Sequence, residues 1–426
     1  MNTKQRPPLR TGLLGEHLSH SFSPQIHVAL AGDRYTYELY ERASDAVADF
    51  IRGGEWDALN VTIPYKKAVM PYLDEISDEA VRIGAVNTIT RTADGRLRGD
   101  NTDYFGFALT VRSMGIDLTG KKALILGEGG ASATAVAVLT DMGAKVVVLS
   151  RHGGEENSYK FAHIHHADAV LVVNCTPVGM YPRRNGQRLL DLFRFPALAC
   201  VLDMVYNPAR TALIQQAERL GIPAQNGLLM LVAQAKRACE LFLGESISDG
   251  VITPIVDSIA RQTENIVLVG MPGSGKSTVA TRLAHALDRP VVDTDRVIVD
   301  TAGTDIPAIF AAEDEDGFRL REIRAVREAG KASGTVIATG GGVVTRAVNY
   351  PALHQNGRIV FLHRDLASLP TDGRPISQIV AREELYAKRL PLYRQFADIE
   401  IDNNGSVEET VAAILAALGY EPTEKG

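Results

Sequence analysis

The 426-residue sequence is poor in cysteine and has no surplus of positive charge. Its three cysteines, Cys175, Cys200 and Cys239, are far apart and odd in number. That argues against a disulfide framework and for reduced, buried thiols. A formal net charge of -6 supplies no basic field for nucleic acid, so any anion site must be a local cluster. No apolar run approaches the roughly 18 residues that span a bilayer. The opening MNTKQRPPLRTGLLG carries charge and proline where a leader would carry an apolar stretch. A cytoplasmic protein is expected, with small molecules as partners and neither membrane nor nucleic acid among them.

What is present suits packed domains. With 45% hydrophobic and 23% charged residues, the chain has material for full cores, and its length implies two or three of them. The stretch NIVLVGMPGSGKSTVA, from Asn265, is the sharpest signal. Gly270, Gly275, Lys276 and Ser277 fit G-x-x-x-x-G-K-[ST] between a β-branched run and a helical pattern, the context a phosphate loop needs. Backbone N–H groups and a helix N-terminus surround the phosphates, Lys276 neutralises charge and Ser277 ligates Mg²⁺. Further apolar runs at PVVD, TVIATGGG, RIVFL and DIEID give five short strands alternating with helices, hence a parallel α/β sheet.

Other residues specify what the loop acts on. VVDTD sets Asp293 and Asp295 at a strand end, where one carboxylate can hold the metal and the other orient an acceptor hydroxyl, if they are not simply turn formers. GFRLRE supplies Arg319, TGGG supplies Gly340, Gly341 and Gly342, DGRP supplies Arg374 and KRLPLYR supplies Arg389. Arginines with exposed backbone donors suit a small carboxylated polyol. For Arg319 and Arg321 the plain alternative is pairing with the neighbouring EDEDG on a solvated helix face. That acidic run reads as a helix start, without calcium-loop spacing.

In order, these motifs resemble the shikimate kinase family over residues 264–418. The resemblance implies that Gly273, Ser274, Gly275, Lys276, Ser277 and Thr278 bind ATP, with Ser277 and Asp293 around Mg²⁺. It assigns Asp295 to the hydroxyl being phosphorylated and Arg319, Arg389 and the amides of Gly340, Gly341 and Gly342 to the substrate. Arg374 would arrive on a lid, and the chain between VFLHR and Arg374 is several residues shorter than is usual in the family.

The first half contains a second α/β system. KKALILGEGGASATAVAVLTDMGAKVVVLSR reads as strand, glycine turn, helix, strand, with Gly127, Gly129 and Gly130 in the turn. The second strand ends at Arg151, where an acid would accept the ribose of NAD; arginine suits a 2′-phosphate and therefore NADP. Before it, residues 8–105 include the strand-like RYTYELYE, DALNVTIP and GAVNTITR. NVTIPYKKA places Asn60, Thr62 and Lys66 around a strand end, and GDNTDYFGF places Asn101 and Asp103 at a helix start. A lysine bonded to an aspartate can supply the proton that ketone reduction needs. The bland alternatives are an exposed lysine and a helix N-cap. Three histidines in FAHIHHAD, His163, His165 and His166, read as a polar loop in preference to a metal site.

GEHLSHSFSPQIH, NVTIPYKK, GAVNTI, DNTDYFG, GEGGAS, NCTPVGMYP, DMVYNP and NGLLMLVAQA resemble the shikimate dehydrogenase family in order and spacing, over residues 10–258. The resemblance implies Lys66 and Asp103 as the catalytic pair and Ser21 and Ser23 at the substrate carboxylate. It places Asn60, Thr62, Asn87, Tyr206 and Gln234 around the hydroxyls, and Gly127, Gly129, Gly130, Ser150, Arg151 and Gly227 at the cofactor. Ser23 is also suited to N-cap the helix before Pro24. Departures include His17, Val28, Cys175, Glu128 within the glycine turn, and Gly154 in place of a second basic residue.

The expected architecture is an α/β substrate domain (1–105, with helices at 240–258 returning to it), a Rossmann-like NADP domain (106–239) and a P-loop kinase domain (264–426) with a five-stranded parallel sheet. The two resemblances imply a bifunctional enzyme of chorismate biosynthesis, in which NADPH reduces 3-dehydroshikimate to shikimate and ATP, with Mg²⁺, phosphorylates it. The competing readings are an NAD-preferring quinate/shikimate dehydrogenase joined to the kinase, or one half acting only as a metabolite-binding module.

Overall fold

The computed structural model describes residues 8–18, 21–181, 186–369 and 382–420. Its contacts divide the chain into two units. One holds Met1–Met180, Arg184–Tyr206 and Leu213–Ser258; the other holds Tyr181–Arg183, Asn207–Ala212 and Ile259–Gly426. No helix among the described residues is long and apolar enough to cross a membrane.

In the first unit, six strands form a mixed sheet: β1 (Leu9–Gly15), β2 (Tyr35–Glu41), β3 (Ala58–Val61), β4 (Glu75–Ile76), β5 (Thr88–Arg91) and β6 (Leu97–Asp100), in the order β2-β1-β3-β5-β6-β4. Leu14, Trp56, Leu59, Tyr65 and Ile89 fill its core. Each large apolar side chain fully removed from water contributes about 1.5–3 kcal/mol. The parallel strands β1 and β3 run side by side and release the segments around Ser21 and Lys66 from the same sheet end.

The helix Ser23–Ala31 starts differently from expectation. Phe22 occupies the N-cap with helical φ/ψ and no capping side chain, so Ser23 is already inside the first turn. The cause is local: the Ser21 hydroxyl accepts the Ser23 N–H at 3.2 Å and closes the turn early. Likewise Thr102, not Asp103, holds the N-cap of the helix Asp103–Ser113, and no side chain caps it. Both side chains are therefore released from helix capping.

A second sheet in this unit is wholly parallel, with β7 (Lys122–Leu126), β8 (Lys145–Leu149), β9 (Leu171–Asn174), β10 (Cys200–Asp203) and β11 (Ala224–Gln225) in the order β11-β10-β9-β7-β8. Near-continuous Val, Leu and Ile runs suit strands buried on both faces. The helices Asp103–Ser113 and Leu228–Leu243 meet at Gly106, where a Cβ would stand 2.7 Å from the Met230 carbonyl oxygen.

The second unit is built on a five-stranded parallel sheet: β12 (Asn265–Val269), β13 (Val291–Asp293), β14 (Val336–Ala338), β15 (Gly357–His363) and β16 (Ile399–Asp402), in the order β13-β14-β12-β15-β16. The glycine loop leaves the central strand β12 and enters the helix Lys276–Leu287. The long helix Ile306–Ala329 begins where Asp305 caps the Ala308 N–H with Pro307 in the first turn, and it bends at Asp314, whose φ is 60°. The run EDEDG, expected to open a helix, does so: beyond the kink the Asp314 carboxylate accepts the Gly317 N–H at 3.1 Å and caps the helical stretch that follows.

Candidate active sites

In the first unit, Lys66 Nζ lies 2.6 Å from the Asp103 carboxylate, with side chains 25% and 15% exposed. The lysine leaves the loop after β3 and the aspartate opens a helix, so two elements converge on one ion pair. The exposed-lysine and N-cap alternatives both fail here. Beside the pair runs a buried polar chain. Tyr37 donates to Asn60 Oδ1 at 2.8 Å, and Asn60 donates through Nδ2 to Thr88 Oγ1 at 3.3 Å. Asn87 Oδ1 accepts from the Thr102 N–H at 2.7 Å, and the Thr102 hydroxyl reaches Gln234 Oε1 at 3.5 Å. These bonds preset the orientation of Asn60, Asn87 and Gln234. Thr62 donates its N–H to Leu14 O, which holds it at the end of β1. Tyr206 packs its ring 6.1 Å from Phe22, and burial pushes its hydroxyl pKa up.

The glycine turn after β7 fits a dinucleotide. Gly127 has φ +109°, and Cβ atoms added at Gly129 or Gly130 would meet nothing within 4 Å, so backbone N–H groups at the start of the helix Gly130–Asp141 stand open. Gly127 N–H donates to Leu149 O at 2.9 Å and ties the turn to the end of β8. Ser150 is buried there and Arg151 is exposed. Gly227 has a packing reason as well, since a Cβ would stand 2.2 Å from the Met204 carbonyl oxygen.

In the second unit, a cavity of about 640 Å³ is lined by the phosphate loop, Asp295, Arg319, Glu322, Gly340 to Gly342 and Arg389. Gly273 and Gly275 adopt φ values of +85° and +86°, which glycine reaches without the Cβ penalty. Lys276 Nζ donates to the carbonyls of Gly270 and Met271 at 2.9 and 3.0 Å. Ser277 Oγ lies 2.6 Å from Asp293 Oδ2, a hydroxyl-carboxylate set that suits a hard cation. Asp293 Oδ1 also caps the next helix at Asp295 N–H. Asp295 Oδ1 is buried without a partner, and burial raises its pKa while Lys276 opposes the rise.

Arg319 is not on a solvated face. Its side chain is 3% exposed and bonds Glu322 Oε2 at 2.9 Å and Glu315 Oε1 at 3.1 Å, whereas Arg321 does pair with Glu313 at the surface. Arg389 donates to the Gly341 carbonyl at 3.0 Å. Arg374 lies outside the described residues. His163 and His165 sit on the short helix Ala162–His165, and the His166 ring contacts the Glu156 carbonyl oxygen at 2.9 Å.

Several supporting groups lie outside the sequence motifs. Glu322 is wholly buried against Arg319, with burial pushing its pKa up; its place three residues after Arg319 on a helix was the available signal. Tyr393, one turn after Arg389, donates to the Gly341 carbonyl. Asn403 donates to the Ser274 carbonyl, and nothing local in the sequence marks it. His27 lies buried against Tyr37, beneath the Asn60 network.

A reductase with a Rossmann-like half and a P-loop kinase thus share one chain. Residues 13–89 match the shikimate dehydrogenase substrate binding domain, and residues 272–419 match shikimate kinase. The chain is 36% identical over 277 residues to the shikimate dehydrogenase (NADP(+)) of Symbiobacterium thermophilum, a match covering 57% of this chain and 92% of that protein. It is 37% identical over 254 residues to that of Oleidesulfovibrio alaskensis, covering 55% and 90%. Among solved structures, a chorismate mutase/shikimate 5-dehydrogenase fusion protein from Clostridium acetobutylicum matches at TM-score 0.55 and 34% identity, over 59% of this chain and 96% of that one. The shikimate 5-dehydrogenase of Thermus thermophilus, in complex with NADP(H) and shikimate, matches at TM-score 0.52 and 31% identity, over 59% and 99%.

The chain belongs to the shikimate dehydrogenase family. It joins that NADP-dependent enzyme to a C-terminal shikimate kinase domain, so it carries both activities, with NADPH and ATP as cofactors.

Proposed function

We propose that the first unit reduces 3-dehydroshikimate to shikimate and that the second phosphorylates shikimate on its 3-hydroxyl. We take residues 1–105, 106–239 and 264–426 as the substrate, NADP and kinase domains. In the first reaction, NADPH supplies a hydride to the ketone carbon. Asp103 holds Lys66 so that Nζ donates to the carbonyl oxygen as negative charge builds, and the proton transfers there. Ser21 and Ser23 hold the carboxylate. Asn60, Thr62, Asn87, Tyr206 and Gln234 bind the hydroxyls or line the pocket, their positions set by the buried bonds described above. The amides at Gly127, Gly129 and Gly130, with Ser150 and Gly227, cradle the dinucleotide, and Arg151 meets the 2′-phosphate.

In the second reaction, ATP with Mg²⁺ supplies the phosphoryl group. Amides from Gly273 to Thr278 hold the phosphates, Lys276 exchanges its two carbonyl partners for phosphate oxygens, and Ser277 with Asp293 holds the metal. Asp295 accepts the proton of the acceptor hydroxyl. Its raised pKa favours proton uptake, while Lys276 and Arg319 keep the carboxylate form accessible. Arg319, Arg389 and the amides of Gly340 to Gly342 hold the substrate, and Arg374 stabilises the transferring group.

The observation that carries the reading is the kinase cavity itself. A buried arginine locked by a carboxylate, a second arginine and an unpartnered aspartate match a small acid with several hydroxyls, which is the first reaction's product. The test is the site of phosphorylation. Phosphorus-coupled proton NMR of the product should place phosphate on the 3-hydroxyl, and Asp295→Asn should slow its formation about 10²- to 10⁴-fold. Phosphate on another hydroxyl, or an unimpaired variant, overturns the assignment.

A further inference from the structure

We propose that Arg364 is a contact for the phosphate chain of the nucleotide bound by the kinase domain. This rests on the reading of the glycine loop as an ATP site and adds to it a residue outside the loop and lid motifs.

Arg364 is the first residue beyond β15, the strand that pairs in parallel with β12 on the side away from β14. The loop leaves β12 at the same sheet end. The two segments are close: a Cβ at Gly270 would stand 2.8 Å from the Leu362 carbonyl oxygen. Arg364 Nη1 lies 3.9 Å from the position a Cβ on Gly275 would take, and Gly275 is the N-cap of the helix Lys276–Leu287. The guanidinium thus stands beside the open, glycine-lined mouth of the loop.

Its bonding is what singles it out. Arg319 is committed to Glu315 and Glu322, Arg389 to the Gly341 carbonyl, Arg358 to Glu264 and Arg394 to Glu400. Arg364 has no such partner among the described residues, and its Nε is buried without a hydrogen bond. A buried N–H left unmade is costly, and a guanidinium's planar fork suits two phosphate oxygens. A phosphate at the helix N-terminus offers acceptors to the outer nitrogens of the fork, of which Nη1 is the one beside Gly275. Lys276, held by two loop carbonyls, and Arg364 would then approach the anion as two separate cations.

The test uses the full-length chain and the variants Arg364→Ala and Arg364→Lys. Calorimetry would measure affinity for ADP, for inorganic tripolyphosphate and for shikimate. Arg364→Ala is expected to weaken ADP and tripolyphosphate alike, about 10- to 100-fold, with shikimate affinity unchanged. Arg364→Lys should regain part of the loss, because it keeps the charge without the fork. Unchanged tripolyphosphate affinity in Arg364→Ala overturns the proposal even if ADP weakens, since the contact would then be to the base. Equal loss of shikimate binding with a lowered melting temperature also overturns it, as a structural role. If the unaltered chain binds neither ADP nor tripolyphosphate, the ATP-site reading itself fails.

Discussion

His27 illustrates how one buried side chain supports a site it does not enter. Its ring stacks on Tyr37 with centroids 4.0 Å apart, and its Nδ1 lies 2.6 Å from the Tyr35 hydroxyl. Tyr37 in turn bonds Asn60. Burial pushes the imidazole pKa from 6.5 down to about 3. The unfolded chain therefore takes up a proton below about pH 6.5 that the folded chain refuses until about pH 3. The stability contributed is complete above 6.5 and falls as pH drops through that window, by about 1.4 kcal/mol per unit once the unfolded imidazole is mostly protonated. Trp56, the sole tryptophan, is buried in the first unit and reports its unfolding. Urea titrations at pH 6.0, 5.5 and 5.0 should show a pH slope in the native protein that His27→Gln reduces by most of this amount. An unchanged slope would mean that other groups carry the acid sensitivity.

At the scale of elements, the Arg319 side of the kinase cavity depends on a glycine segment pressed against a helix. A Cβ at Gly342 would stand 2.0 Å from Arg319 Nη1 and 2.2 Å from Nη2. Arg319 cannot swing aside without leaving Glu322 and Glu315, so Gly342→Ala displaces the guanidinium from its place in the cavity. Steady-state kinetics should show KM for shikimate raised by about tenfold or more, the usual cost of one charge-assisted contact, with KM for ATP nearly unchanged. An unaltered KM for shikimate would remove Arg319 from the binding set. The elements themselves were largely legible in the sequence. Short β-branched runs marked β12 to β16, and glycine turns marked the starts of the helices Gly130–Asp141 and Lys276–Leu287, because burial and phosphate geometry both restrict residue type. Helix starts were less legible. Ser23 and Asp103 look like caps, but the turns close one residue early, whereas the acidic run EDEDG does open a helical stretch, capped by Asp314. Glu322 and Asn403 acquire their roles from partners brought near by folding, and Asn403 lies 129 residues from Ser274.

At the scale of the whole molecule, the two units carry two different ways of handling charge. The first sets Lys66 against Asp103 beside a network of neutral hydrogen-bonding groups, which suits proton delivery to a ketone oxygen. The second gathers arginines, a lysine and three carboxylates around a loop of open amides, which suits moving a phosphoryl group. Neither arrangement substitutes for the other. A variant in one unit should therefore stop its own reaction and leave the other's intact.

The most direct test of this is mass spectrometry of the products formed from 3-dehydroshikimate, NADPH, ATP and Mg²⁺ by the whole chain and by Lys66→Ala and Asp295→Asn. The unaltered chain should form shikimate 3-phosphate, and omitting ATP should leave shikimate. Lys66→Ala should form little of either product from 3-dehydroshikimate yet phosphorylate added shikimate normally, while Asp295→Asn should accumulate shikimate. Absence of shikimate when the unaltered chain is incubated without ATP, or a phosphorylated product formed without NADPH, would contradict this.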